Sequence, residues 1–102
     1  MARIIAYELG LSEAEKKMLH ALGADHRRSY IRNGKEYFKP YRNYFDSGKN
    51  VDNDLETMIG PGYVERRNIT CGIYKGFWYF VTKAGRSYLE KITGCHIYEE
   101  EK

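Results

Sequence analysis

The sequence predicts an α+β fold in a single domain, and three observations predict it. Helix-capping residues at Ser12 and Thr82 each precede an apolar stripe of helical period. Runs rich in aromatic and β-branched residues, at 29–38, 63–70 and 77–82, stand between turn signals. The chain has 102 residues, 42% of them hydrophobic and 15% aromatic, which is the size and composition of one globular unit. A chain of this length buries about 65% of its unfolded surface, enough for a core without metals or disulfides. Residues 1–102 are therefore read as one domain.

Residues 3–9 (RIIAYEL) read as a short strand. Ser12-x-x-Glu15 is a capping box, in which hydroxyl and carboxylate satisfy each other's backbone donors. The helix it opens carries Leu11, Ala14, Met18, Ala21 and Leu22 on one face, and Gly23 stops it. Asn33-Gly34 supplies the two positive φ angles of a type I′ turn, so 29–38 reads as a small β-hairpin. Pro40 suits a first helical turn, and Tyr41, Tyr44 and Phe45 give a second helix its stripe before Ser47-Gly48. A third helix is expected from Val51 to Ile59, broken by Gly60-Pro61-Gly62. Residues 63–70 and 77–82 then form two strands, with Gly72 or Gly76 making the turn. Thr82 caps a last helix with Ala84, Tyr88, Leu89 and Ile92 on its apolar side, ended by Gly94. Residues 95–98 are expected to return as a strand beside the amino-terminal one. The expected core is Met18, Leu22, Leu55, Ile59, Trp78, Phe80 and Leu89.

Residues 55–92 resemble a winged helix-turn-helix domain. Leu55, Met58, Ile59, Gly62-Tyr63-Val64 and Arg66-Arg67 match a helix that ends in glycine before a basic strand. Residues 77–82 (FWYFVT), with Gly85 and Leu89, match a returning wing strand and the helix behind it. The resemblance implies three to four helices with a small antiparallel hairpin, the wing, and it implies DNA binding. Residues 18–45, with Tyr41-Arg42-Asn43-Tyr44-Phe45, are also similar to small uncharacterised phage and prophage proteins. One departure stands out. The helix before the wing, which in that family enters the major groove, would expose Asp52, Asp54 and Glu56 and holds no lysine or arginine. Duplex DNA carries a negative charge about every 1.7 Å, so these carboxylates oppose docking there. Asp52 or Asn50 at the helix start would serve its amino terminus instead.

Charge is segregated along the chain. The total is +3, but residues 26–44 hold six cations against Glu36 alone, and 45–65 hold five acids against Lys49. Glu99, Glu100 and Glu101 make an acidic tail. The basic segment, Arg27, Arg28, Arg32, Lys35, Lys39 and Arg42, alternates with Tyr30, Tyr37, Phe38, Tyr41 and Tyr44. Cations release counterions from phosphate and rings stack on bases, so this mixture points to nucleic acid. The same pattern also fits a solvated hairpin whose aromatics pack inward. Arg66, Arg67 and Lys75 are wing candidates for phosphate contact, although alternation sends adjacent Arg66 and Arg67 to opposite faces. The competing expectation is an adaptor that docks on a protein partner through its acidic helix and tyrosine-rich surface.

No residue pattern assembles a catalytic site, so the protein is read as a non-enzyme with no cofactor. Glycine-rich phosphate loops are absent, and Gly60-Pro61-Gly62 reads as a turn. Cys71, Cys95 and His96 lack the spacing of a structural zinc site, so no metal is expected. Phe77–Val81 is the longest apolar run, far below the roughly 20 residues of a membrane span. With no export signal, a cytoplasmic location and reduced thiols are expected.

Overall fold

A computed structural model of the chain describes residues 10–24, 30–40 and 42–98. The strand expected over 3–9 lies outside these residues, as do His26, Arg27, Arg28, Tyr41 and the acidic tail.

The elements follow in the order α1 (Glu13–Ala21), β1 (Tyr30–Arg32), β2 (Lys35–Phe38), β3 (Phe45–Gly48), α2 (Asn53–Glu56), β4 (Val64–Cys71), β5 (Tyr74–Val81), α3 (Lys83–Thr93) and β6 (His96–Ile97). They form two three-stranded sheets, ordered β1-β2-β6 and β3-β5-β4. Both capping predictions hold. Ser12 and Glu15 close a reciprocal capping box on α1, and Thr82 accepts from the Gly85 N–H at the start of α3. Gly94 ends α3 at a φ of 71°, in the left-handed region. The core gathers Met18, Leu19 and Leu22 from α1, Leu55 from α2, Tyr79 and Val81 from β5, Leu89 from α3, and Phe38 and Ile97 from the other sheet.

The winged-helix expectation is overturned. A helix-turn-helix needs two consecutive helices joined by a turn ahead of the wing, and here three strands, β1 to β3, separate α1 from the single turn α2. The class remains α+β, with three helices and six strands among the described residues.

Two local causes explain the difference. The helix expected after Pro40 is replaced by an extended segment leading into β3. The Asn43 side-chain amide donates to the Val81 carbonyl and accepts from its N–H, both at 2.8 Å, which ties the segment to β5 as a strand neighbour would be. The Tyr44 N–H donates to the Ala21 carbonyl at the end of α1. Tyr44 then turns outward and Phe45 inward, the period of a strand. The helix expected over 51–59 shrinks to Asn53–Glu56, because Met58 already accepts the N–H groups of Tyr63 and Val64 and turns the chain toward β4.

The second hairpin turns at Gly72-Ile73, since Cys71 pairs with Tyr74. Gly72 has a φ of 62° and Ile73 does not, which suits glycine at the first central position. In β5 the inward residues are Tyr79, only 1% exposed, and Val81, with Phe77 packed against the core. The expected core residues Trp78 and Phe80 occupy the opposite, half-exposed face. Ile59 is likewise half-buried, and Ala84 is exposed. Helix α3 instead buries Gly85 and Leu89. A Cβ at Gly85 would stand 2.1 Å from the Tyr63 carbonyl oxygen, so only glycine allows this approach. Finally, β6 pairs in parallel with β2.

Candidate nucleic-acid interface

The hairpin predicted from Asn33-Gly34 forms, with φ angles of 53° and 78° at those residues. Its register places Tyr30 opposite Tyr37 and Arg32 opposite Lys35. Side chains alternate along a strand, so these four residues share one face and Ile31, Glu36 and Phe38 take the other. Phe38 and Ile97 drive the inward face into the core, which leaves the Tyr37 face toward solvent. The parallel pairing of Tyr37 with His96 adds His96 to that outer face, and Tyr98 follows it.

The result is a row of rings beside two cations. Tyr37 stacks on Tyr30 at 5.7 Å and on Tyr98 at 5.9 Å, with planes within 18°. His96 meets Tyr37 and Tyr98 edge-on, and its Nδ1 lies 3.1 Å from Glu90. The Tyr98 phenol is held above its ordinary value, first by its hydrogen bond with the Tyr30 hydroxyl, while Arg32 pulls the other way. Arg32 and Lys35 are exposed and make no hydrogen bond or ion pair among the described residues. An open hollow of about 650 Å³ is lined by residues of both hairpin faces, Lys35 and Tyr37 of the outer one and Ile31 and Glu36 of the other, with Gly94 and His96.

The other sequence-derived cations stand elsewhere. Lys39 is exposed just past β2. Arg42 donates to the His20 carbonyl at 2.7 Å, neutralising the end of α1, and its guanidinium lies over Tyr44. Arg66 donates to Glu56 at 2.9 Å, and Arg67 pairs with Glu65 at 3.0 Å. They occupy opposite faces of β4, as alternation requires, over Phe77 and Phe80 respectively. Lys75 is exposed near the second hairpin turn. Arg27 and Arg28 lie outside the described residues. His96 and Tyr98 were missed from sequence. Their signal was the alternation in Cys95-His96-Ile97-Tyr98, but the strand they join is some 60 residues away in sequence.

The acidic helix is internally neutralised. Asp52 caps α2 by accepting from the Leu55 N–H and, with Asp54, receives the Lys17 ammonium at 2.8 Å. Those hydrogen bonds, Asp52's first, raise the Lys17 pKa. Glu56 accepts from Arg66 and from the Tyr79 hydroxyl. Three carboxylates that look exposed in sequence are therefore structural ties.

Cys71 is exposed near the tip of the second hairpin. Cys95 is buried, and burial is the main reason its thiol is pushed up to about 12. No group of three His, Cys, Asp or Glu residues suited to a metal ion occurs among the described residues. No described helix is long and apolar enough to cross a membrane. No protein-family model, curated protein or solved structure matches the chain, so the functional reading rests on its own residues.

Proposed function

We propose that the protein binds nucleic acid through the outer face of the β1-β2-β6 sheet. The observation that carries this reading is the pairing of Arg32 directly opposite Lys35, with no carboxylate partner among the described residues. Like charges opposed across two strands disfavour the pairing by a few tenths of a kcal/mol or more. A hairpin that keeps such a conflict beside exposed rings has the makings of a phosphate-binding surface. The chemistry is recognition only: cations draw the backbone, and rings offer apolar surface to bases or sugars.

The test is a fluorescence-anisotropy titration of labelled DNA and RNA at low salt. The unmodified protein is expected to bind, and the R32E/K35E double variant to lose that binding while keeping its circular-dichroism spectrum. Equal affinity in both proteins would refute the reading.

A second reading, docking on a protein partner, draws on the outer face of the other sheet. Tyr44 stacks on Trp78 at 5.0 Å, and Phe80 adjoins Trp78 under the Arg67 guanidinium. Aromatic residues and arginine are the types enriched in protein interfaces. Arg67 is already paired with Glu65, so this face suits protein better than phosphate. The acidic helix, whose carboxylates are taken, no longer contributes to that alternative.

A further inference from the structure

We infer that the β1-β2-β6 face takes unpaired bases, so that its ligand is single-stranded nucleic acid and not a duplex. This deepens the reading above and rests on it. A ring stacks on a base only where the base is free of its neighbour in a helix. The rings on this face include Tyr30, on edge strand β1, which is 41% exposed and stacks on Tyr37. A base stacked on the exposed part of Tyr30 would join these rings. Arg32 and Lys35 then stand at the end of the same face, where they meet the connecting phosphates.

Duplex readout asks for something different. A groove admits a helix or a free two-stranded ribbon that reads base edges with amides and guanidinium groups. Here the far edge of β2 is bonded to β6, so the hairpin is not a free ribbon, and the rings outnumber the polar readers. Stacking is also tolerant of sequence, because every base has a π face.

The experiment compares an oligothymidylate and an oligouridylate of about twelve nucleotides with a duplex of equal length. The unmodified protein should bind at least one single strand about tenfold or more tightly than the duplex at moderate salt. Tyr30→Leu should lower single-strand affinity about tenfold without changing the salt slope, and Tyr30→Phe should retain it. Tyr30 is exposed on an edge strand, so these variants leave the core intact. Duplex binding as tight as single-strand binding, or an unchanged affinity in Tyr30→Leu, would overturn the inference while leaving the nucleic-acid reading in place. Absence of salt-sensitive binding to any of the three would remove the nucleic-acid reading itself.

Discussion

Replacing Tyr79 with phenylalanine tests which face of β5 is inside. The ring of Tyr79 is buried against the core, and its hydroxyl lies between two parts of α2. It donates to Glu56 Oε2 at 2.7 Å and accepts the Asp52 N–H at 2.8 Å. Burial, followed by the Glu56 hydrogen bond, holds the phenol above its ordinary value, so it stays protonated as a donor. Phenylalanine keeps the buried ring and removes both hydrogen bonds. A bond to a charged acceptor contributes roughly 1.5–3 kcal/mol, and a backbone donor left unpaired costs about 1–3 kcal/mol. Glu56 keeps Arg66 and is partly solvated, so the two losses do not sum in full. A net loss of about 2 kcal/mol follows, a fall in Tm on the order of 10 °C for a domain of this size. Thermal unfolding by circular dichroism measures it. Trp78→Phe, on the opposite face, should shift Tm much less. A Tyr79→Phe protein as stable as the parent, or a larger loss in Trp78→Phe, would refute this assignment of faces.

Three further outcomes are expected. Asn43→Ala removes both side-chain bonds to the buried Val81 backbone, and should cost about 2–4 kcal/mol in urea unfolding. Tyr88→Phe tests the contact between α3 and α1, where the Tyr88 hydroxyl donates to Glu15. That bond, first among its causes, lowers Glu15 below its ordinary 4.5 and raises Tyr88 to about 12. The depressed Glu15 contributes stability that is present above pH 4.5 and lost as pH falls through its folded value. The raised Tyr88 contributes stability that is complete below pH 10 and lost as pH rises through about 12. Urea midpoints across pH should therefore show both limbs in the parent and shallower ones in Tyr88→Phe. Removing residues 99–102, three glutamates and a lysine directly after Tyr98, should tighten nucleic-acid binding at low salt, an effect that vanishes at high salt in the same titration.

What could be read from the sequence was local. The capping box at Ser12 and Glu15, the Asn33-Gly34 turn and the Thr82 cap each depend on residues within three or four positions, and each forms. What could not be read depends on distant partners. Asn43 and Val81 are 38 residues apart, and their contact turns an expected helix into an extended segment and a strand. In Phe77–Val81 every residue is apolar, so no alternation marks the inward face. The site divides the same way. Its cations and the tyrosines Tyr30 and Tyr37 were visible as an alternating basic segment. Which cations are already engaged was hidden, because Glu56 and the His20 carbonyl reach Arg66 and Arg42 only through the fold.

The central claim is that Arg32 and Lys35 meet phosphates, and the salt dependence of binding tests it most directly. Each phosphate neutralised on a single strand adds about 0.7 to the slope of log affinity against log salt. The unmodified protein should therefore show a slope steeper by about 1.4 than R32A/K35A, measured on one labelled single strand. Equal slopes in the two proteins, or no binding by the unmodified protein at low salt, would contradict the account.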